Sequence, residues 1–296
     1  METKVGTNSC ISIEKIKSNK RQKFCIIIPV YKDHLEYTEK LSLRKLHEVS
    51  KRKYNVYLVC PNKLDNTEYI EIFPELKEKR FDDKYFENTA SYSKLCLSYE
   101  LYKAFEKYEY LLIYQLDCLL IYDNIEEWCN KGYDYIGAPI VATNAFWPVL
   151  TKDSLGRDVY KPMVGNGGFC LRKIDTFMDI LDPNGYLNKR YNILNIISNV
   201  NVEDLFICTE LTKIYDISLP QYTEAVEFAI DMNPDVIKPK NLPMGIHAFH
   251  KNFPYWKDKI DYLSNDQEAF DSAYRQCKDF IDIYYYKKEI KKNEES

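Results

Sequence analysis

The chain has 296 residues, 45% of them hydrophobic and 29% charged, a balance typical of a globular protein and a length sufficient for one large α/β domain. Its 41 basic and 45 acidic side chains give a net charge of −4, which offers no general attraction for a nucleic-acid backbone, so we expect no nucleic-acid partner. The first residues lack the apolar core of a signal peptide, and no stretch approaches the ~20 apolar residues of a transmembrane helix. We therefore expect a cytoplasmic protein.

An apolar run from Phe24 to Pro29 predicts a first, buried strand. Residues 35–49 carry leucines at helical spacing and predict a helix, and residues 54–61 form a short β-rich run that ends in a proline. A strand, a helix and a second strand in this order indicate a parallel βαβ unit. The later elements are predicted as a helix over 92–108, strands over 110–117, 134–140 and 166–173, a helix over 202–215 and a tail helix over 267–288.

This order predicts an α/β fold, in which a twisted, mainly parallel sheet is flanked by helices and followed by a C-terminal helical tail. We expect a polar N-terminal extension over 1–23, a single domain over 24–262 and the tail over 263–296. The nine cysteines are scattered, odd in number and free of C-x-x-C spacing. They predict reduced thiols rather than a disulfide framework or a zinc site.

Asp117 is the only charged side chain in the apolar run Tyr110–Tyr122. An ionised carboxylate in such a run carries a desolvation penalty of several kcal/mol, on the order of that of other buried charges, unless a cation or hydrogen-bond donors meet it. The pattern therefore predicts a charged ligand at Asp117. The alternative is an Asp at a strand end that accepts hydrogen bonds from backbone amides.

Ligands of open α/β sheets bind beyond the carboxyl ends of the parallel strands. Pro29, Val30 and Tyr31 end the first predicted strand, and Asp117 ends the long apolar one. The sequence contains neither the G-x-G-x-x-G dinucleotide motif nor the phosphate-binding G-x-x-x-x-G-K-[ST] loop. We therefore expect a nucleotide to bind through its diphosphate and a divalent ion held by Asp117.

Four parts of the sequence together resemble a known family, namely the bacterial GT-A-type glycosyltransferase homologues catalogued as a domain of unknown function. The resemblance extends from about Phe24 to Trp256. It implies a nucleotide-sugar transferase fold, with the sugar donor, taken to be a UDP-sugar, lying across the carboxyl edge of the sheet. The matching parts are IIIPVYK (26–32), YQLDCLLI (114–121), VGNGGFCLRK (164–173) with VEDLF (202–206), and PMGIHAFHK (243–251).

The resemblance places Asp117 at the first Asp of the D-x-D metal motif of such enzymes. Leu119 stands at the third position of that motif, so the metal needs another ligand. The resemblance implies His247 for this role, with His250 as the alternative, and Mn²⁺ or Mg²⁺ as the ion. Structural histidines and metal-independent donor binding remain open alternatives.

The same resemblance places Asn166, Gly167 and Gly168 beside the donor sugar or the acceptor, and includes Gln115 among the residues that bind the nucleotide sugar. Glycines let the backbone approach a ligand closely, and the Asn offers both a donor and an acceptor, although a plain hairpin turn would use the same residues. Lys94 is the predicted basic contact to the diphosphate. Its alternative is a solvated helix lysine, and Arg172 is a weaker candidate for the contact.

Glu203 and Asp204 open a predicted helix, where acidic side chains interact favourably with the helix dipole. The resemblance implies that Asp204, with Glu203 as second choice, is the general base that deprotonates the acceptor hydroxyl. The expected reaction is sugar transfer with inversion to a glycan or a lipid-linked acceptor, in the synthesis of surface polysaccharide or glycoconjugates.

Two other function classes compete with this prediction. A non-catalytic nucleotide-sugar or carbohydrate-binding protein would explain the incomplete metal motif at Leu119. A nucleotidyltransferase shares the sheet type but needs a Gly-rich, basic loop after the first strand, which KDHLEYTEK is not.

The C-terminal tail interleaves aromatic and basic residues between Lys278 and Lys292. This composition suits the headgroup region of an anionic membrane, so we expect weak peripheral contact at the inner membrane face. A solvated helix terminus is the alternative, because Glu289, Glu294 and Glu295 dilute the positive charge.

Overall fold

A computed structural model describes residues 21–50, 53–140, 149–152, 158–161, 163–237 and 239–294. Most of the predicted extension over 1–23 lies outside these residues. The strands are β1 (Gln22–Pro29), β2 (Val56–Pro61), β3 (Lys77–Phe81), β4 (Tyr108–Tyr114), β5 (Leu119–Leu120), β6 (Tyr135–Ile140), β7 (Val149–Lys152), β8 (Asp158–Lys161), β9 (Met163–Lys173), β10 (Ala229–Ile230) and β11 (Gly245–Ile246).

Helices follow most of the strands and cover the sheet. They are α1 (Tyr37–Ser50), α2 (Thr67–Ile72), α3 (Thr89–Cys96), α4 (Tyr99–Ala104), α5 (Ile125–Asn130), α6 (Ile174–Leu181), α7 (Tyr186–Tyr191), α8 (Ile193–Ser198), α9 (Glu203–Thr209), α10 (Tyr222–Phe228), α11 (Pro234–Ile237), α12 (Phe253–Lys257), α13 (Asp261–Ser264) and α14 (Gln267–Glu294).

The main sheet has the strand order β3-β2-β1-β4-β9-β6. The first four strands of this order are parallel, and β9 runs antiparallel to both of its neighbours. The predicted fold class, a mainly parallel sheet flanked by helices and followed by a C-terminal helix, is confirmed. The division of the chain at 23 and 262 stays a prediction.

Both faces of the main sheet are buried, which explains the continuous apolar run of β1. Ile26 and Ile28 face one core cluster together with α1, α2 and α5, whereas Cys25 and Ile27 face a second cluster with α3, α4 and α6. Successive strand residues point to opposite faces, so a strand covered by helices on both sides has no polar side. The carboxyl edge of the sheet is consequently the part of these strands that remains open to a ligand.

The single helix predicted over 92–108 is wrong, because the structure divides this segment into α3 and α4. The Ser98 side chain accepts a hydrogen bond from the backbone N–H of Leu101 at 3.2 Å and so caps a new helix. The helix predicted over 202–215 ends at Thr209 and continues as a 3₁₀ turn over Leu211–Lys213. The predicted strand over 110–117 stops at Tyr114, and Asp117 lies in the turn that follows.

A small three-stranded sheet with the order β10-β11-β5 adjoins the carboxyl edge of the main sheet. In this sheet β11 is parallel to β10 and antiparallel to β5. A third core cluster joins it to α12, α13 and the first part of α14, around the fully buried Trp256.

The C-terminal helix α14 has a non-helical residue, Cys277, with φ −138° and ψ 40°. Before this kink, Ala269 and Ala273 are buried against the third cluster, and beyond it most side chains other than Ile281 are exposed. Among the described helices, none has the length and apolar content to cross a bilayer. The eight cysteines within the described residues are free thiols.

Candidate active site

A cleft of about 620 Å³ opens at the carboxyl edge of β1 and β4. The predicted binding residues Pro29, Val30, Tyr31, Gln115 and Asp117 all line it. A volume of this size lies within the range of about 300–1,000 Å³ found for small-molecule sites. The strand ends therefore bring these five predicted residues to one ligand-sized cleft.

Further residues that line the cleft were not singled out from the sequence. They include Lys32 after β1, Tyr92 of α3 and Gln276 of α14. Gln276 is held there by a hydrogen bond from its Nε2 to Thr38 Oγ1 at 2.9 Å. The C-terminal helix is thus part of the cleft wall.

Asp117 lies beside the imidazole of His247, with 3.4 Å between Asp117 Oδ1 and His247 Nε2. On its other side, His247 Nδ1 lies 3.0 Å from Asp231 Oδ1. The small sheet explains this order, because Asp231 directly follows β10 and His247 directly follows β11, while Leu119 of β5 pairs with Ile246. The short strands of the small sheet thus place Asp117 beside Nε2 and Asp231 beside Nδ1 of the His247 ring.

The charges of this cluster shift its pKa values strongly. Burial alone would raise the pKa of Asp117, but the positive charge of His247, with a smaller effect of Lys251, holds it well below its usual range. Burial alone would lower the pKa of His247, but Asp117 and Asp231 outweigh it and raise the pKa to about 10. Without a cation in the site, the charged imidazole itself neutralises Asp117.

The cluster also fits a divalent metal ion. His247 Nε2 is buried and has no hydrogen-bond partner among the described residues, and it lies within 4.8 Å of ligand atoms of Asp117 and Cys118. A carboxylate and an imidazole suit Mn²⁺ and similar ions. Burial raises the pKa of Cys118 well above its usual value, and its thiol donates to Gly168 O at 3.4 Å. Asp117 and His247 are therefore the two residues that would hold the ion.

The alternative ligand His250 also lines the cleft. Burial lowers its pKa to about 4, so its ring is neutral at physiological pH. Leu119, at the third position of the incomplete D-x-D motif, is fully buried in the third core cluster. Asp231 was not predicted as a site residue, although an Asp directly after the apolar run A-I resembles the signal at Asp117.

Gly167 and Gly168 lie at an irregularity of β9, where the register with β6 shifts beside Gly137 and Ala138. A Cβ on Gly168 would lie 2.2 Å from His247 Nε2, and a Cβ on Gly167 would lie 2.5 Å from Glu203 Oε1. A larger residue would not fit at either position, because Gly168 lies against His247 and Gly167 lies against Glu203. Bulges of this kind are common next to active sites, where they redirect side chains.

Glu203 is buried, and both oxygens of its carboxylate accept hydrogen bonds. Its Oε1 accepts a hydrogen bond from Arg172 Nη2 at 3.1 Å, and its Oε2 accepts one from Ser93 Oγ at 2.8 Å. Arg172 is completely buried and also donates to Tyr102 Oη at 3.1 Å. Glu203 and Arg172 thus form an internal ion pair between α9 and β9.

Asp204 is half-buried and accepts a hydrogen bond from Gly167 N at 2.8 Å. Burial and the neighbouring charge of Glu203 raise its pKa to about 6. Its carboxyl group can therefore take up and release a proton near neutral pH. Within the described ranges, Asp204 is not among the residues that line the cleft. It contacts Gly167, and the next residue, Gly168, lies against His247.

Asn166 contacts the cluster of Asp117, His247 and Asp231 rather than the cleft wall, since its Nδ2 donates to Asp231 Oδ2 at 3.2 Å. Lys94 is exposed on α3, two residues after the cleft-lining Tyr92. In the cleft itself the basic side chain is Lys32, whose Nζ lies 2.7 Å from Glu39 Oε2. The roles predicted for these residues stay predictions.

Several solved structures are similar to the chain at low identity. The apo structure of the WbbM bifunctional glycosyltransferase is 11% identical, with a TM-score of 0.49, over 86% of this chain and 52% of that chain. The apo form of mouse xyloside xylosyltransferase 1 is 12% identical, with a TM-score of 0.46, over 76% of this chain and 97% of that chain. A glycosyltransferase involved in glycosylation of the major capsid of PBCV-1 is 11% identical, with a TM-score of 0.41, over 75% of this chain and 92% of that chain. The chain thus spans about half the length of the WbbM chain.

No curated protein matches the sequence. A family model, however, matches residues 75–247, which is more than half of the chain. The match includes Asp117, the Gly167–Gly168 pair and Asp204, and it ends at His247. A family catalogued as a domain of unknown function thus matches as predicted, whereas its GT-A glycosyltransferase character and the bacterial origin stay predictions. The chain belongs to the family described as "Protein of unknown function (DUF5672)".

Proposed function

We propose that the chain is a glycosyltransferase that moves a sugar from a nucleotide-sugar donor to an acceptor hydroxyl. The observation that carries the proposal is the cleft at the carboxyl edge of the sheet, where Asp117 lies between a nucleotide-sized cavity and the buried ring of His247. The loss of a nucleoside diphosphate concentrates negative charge on the leaving group, so a transferase needs positive charge at this point. A divalent ion held by Asp117 and His247 would supply that charge.

The cleft residues have separate tasks in this proposal. The exposed ring of Tyr31 and the backbone of Pro29 and Val30 bind the base and ribose, of which uridine is the proposed base. Lys32 reaches the diphosphate by exchanging its ion pair with Glu39. The neutral ring of His250 and the Gln115 side chain orient the donor sugar above Gly168 and exclude water from it.

Asp204 is the proposed general base. Its raised pKa leaves it ionised at neutral pH yet able to accept a proton, and the Gly167 amide fixes its position. Glu203 is less suited to this role because both of its oxygens are occupied inside the protein. A carboxylate that deprotonates the acceptor directly would give inversion at the anomeric carbon.

The acceptor is proposed to be a glycan or a lipid-linked sugar, in the synthesis of surface polysaccharide or glycoconjugates. Beyond the kink of α14, Ile283, Tyr285, Tyr286 and Ile290 are exposed among lysines. This composition supports weak contact of a cytoplasmic enzyme with the inner membrane face.

A non-catalytic sugar-nucleotide-binding protein is the second candidate. The observation in its favour is that Leu119 replaces the second carboxylate of the metal motif and is buried, while His247 can neutralise Asp117 without a metal. Turnover distinguishes the two functions, since a binding protein would be stabilised by the donor without consuming it.

The test is a panel of nucleotide sugars, measured by thermal shift and by donor consumption with and without Mn²⁺. A ligand at about 100 times its dissociation constant stabilises the folded protein by about 2.7 kcal/mol. Asp117→Asn removes the charge and keeps the shape, so we expect it to lose Mn²⁺-dependent donor binding and turnover while the fold remains. Asp258→Asn changes a surface carboxylate near the tail and serves as the matched control. Donor consumption by Asp117→Asn at the parental rate would show that the proposed site is wrong.

A further inference from the structure

Asp231 has no task in the proposed transfer, yet it is one of the most enclosed carboxylates of the described chain, with 5% of its surface exposed. Its two oxygens have different partners. Oδ1 lies 3.0 Å from His247 Nδ1, and Oδ2 accepts a hydrogen bond from Asn166 Nδ2 at 3.2 Å. Both partners belong to the segments around the site.

The hydrogen bonds around Asn166 fix the direction of this chain of contacts. Gly168 N–H donates to Asn166 Oδ1 at 2.7 Å, so the amide nitrogen of Asn166 must point at Asp231. A carboxylate can only accept, so His247 Nδ1 carries the proton that it shares with Asp231. The other nitrogen, Nε2, faces Asp117 at 3.4 Å and has no hydrogen-bond partner among the described residues.

We infer that Asp231 is a positioning residue for a divalent cation: it holds the His247 ring so that the Nε2 lone pair points, together with Asp117, at the ion. Asp231 does not touch the ion in this arrangement. A carboxylate behind a histidine ligand fixes the ring and makes its metal-binding nitrogen more basic, and removing it typically weakens metal affinity by about 10–100-fold. The inference rests on the proposed function, for which the cation is needed.

The main experiment measures Mn²⁺ binding by isothermal titration calorimetry on the full chain, without any sugar donor. For Asp231→Asn, which keeps the shape and loses the charge, we expect the dissociation constant for Mn²⁺ to rise by about 10–100-fold. His247→Gln should lose this binding, and Asp258→Asn should keep the parental value. An unchanged dissociation constant in Asp231→Asn overturns the inference.

A second measurement does not depend on whether Asp231→Asn folds well. The chain has four histidines, so ¹⁵N spectra of the imidazoles are simple enough to assign with His247→Gln. In the parent chain loaded with Zn²⁺ we expect a protonated Nδ1 and a metal-bound Nε2 on His247. Metal binding through Nδ1, or a protonated Nε2, overturns the inference. Both measurements concern the cation alone, so the absence of sugar transfer would contradict the proposed function and leave the role of Asp231 intact.

Discussion

The neighbouring residues Gly167 and Gly168 contact two different parts of the site. Gly167 lies against Glu203, and Gly168 lies against His247. The space that Gly168 leaves empty is filled by the ring of His247, and the space beside Gly167 is filled by the carboxylate of Glu203. The site therefore depends on glycine at both positions, since even the methyl group of an alanine would not fit.

Alanine at each glycine should therefore produce different defects. In Gly168→Ala the new Cβ would lie 2.2 Å from His247 Nε2, so the ring must move and Mn²⁺ affinity should fall more than about 10-fold, as for other losses of a correctly oriented ligand. In Gly167→Ala the new Cβ would strike Glu203 Oε1, and overpacking of this kind destabilises by about 1–3 kcal/mol. Calorimetric Mn²⁺ titration and urea unfolding of both variants check this, and equal Mn²⁺ affinities in the two variants would contradict it.

The pKa of Asp204 gives a prediction for the pH dependence of transfer. Because burial and Glu203 raise this pKa to about 6, the carboxyl group is protonated below that pH and cannot accept the acceptor proton. The turnover rate should fall as the pH drops through about 6. Asp204→Asn should keep donor affinity, lose about 10²-fold or more in turnover, and show no such acidic limb. Rate profiles of the parent and the variant decide the matter, and an equal loss of donor binding would assign Asp204 to structure.

Asp117 could be predicted from the sequence because it is the only charged side chain in the apolar run Tyr110–Tyr122, where a carboxylate needs a partner. His247 was implied by the family resemblance of its segment. Asp231 escaped notice because β10 has only two residues and gives no strand pattern. Lys94 was predicted from its positive charge and from the family resemblance of its segment, SYSKL. Nothing in a single sequence tells which side of α3 faces the cleft, and the structure puts Tyr92 there.

At the scale of elements, the buried ion pair of Arg172 and Glu203 fastens α9 to β9, and Ser93 adds α3 to the same junction. Such a pair contributes little net stability when both partners are present, but removal of one partner leaves an uncompensated buried charge. The junction lies directly behind the Gly167–Gly168 pair and so fixes the position of the bulge in β9.

Glu203→Ala should therefore lower the free energy of unfolding by about 3–5 kcal/mol, because it leaves the guanidinium of Arg172 buried without its counter-ion. Glu210→Ala is the matched control, since Glu210 follows the same helix and pairs with Lys213 at the exposed surface. Its effect should stay below about 1 kcal/mol. Urea unfolding compares the two, and similar losses in both variants would contradict the role assigned to the buried pair.

The strands β1, β2 and β4 were predictable because they are buried on both faces and read as apolar runs. The edge strand β3 was not predicted, because its sequence KEKRF is mostly charged and only Phe81 is buried. The boundaries of α3 and α4 were not, since the apolar pattern continues across Ser98 and only its side-chain cap separates the helices. The two-residue strands of the small sheet lie below the length at which an alternating pattern can be recognised.

At the scale of the whole molecule, the kink at Cys277 divides α14 into a part that belongs to the cleft wall and a part that extends outward. Gln276 marks the end of the first part. Ile281 is the last fully buried side chain within the described residues. Removal of the residues after Asp282 should therefore leave the cleft and its donor binding unchanged.

This truncation tests the proposed membrane contact. The residues after Asp282 carry four lysines, each worth about 1 kcal/mol of attraction near an anionic surface, next to exposed aromatic and aliphatic side chains. The full chain should co-sediment with anionic phosphatidylglycerol vesicles more than the chain that ends at Asp282, and added salt should reduce the difference. Phosphatidylcholine vesicles provide the control, and equal sedimentation of both chains with anionic vesicles would leave the tail without a membrane role.

The two-residue strands of the small sheet also determine how this region moves. So few ladder hydrogen bonds make local opening easier here than in the main sheet. Two backbone amides that follow β11 report directly on the site, since His247 N–H donates to Ile230 O at 2.8 Å and Phe249 N–H donates to Asp117 O at 3.1 Å. A cation shared by Asp117 and His247 would tie β5 to the end of β11 and slow hydrogen exchange at both amides. Hydrogen exchange at these two amides would therefore report whether a cation is bound, even when the sugar donor is not known.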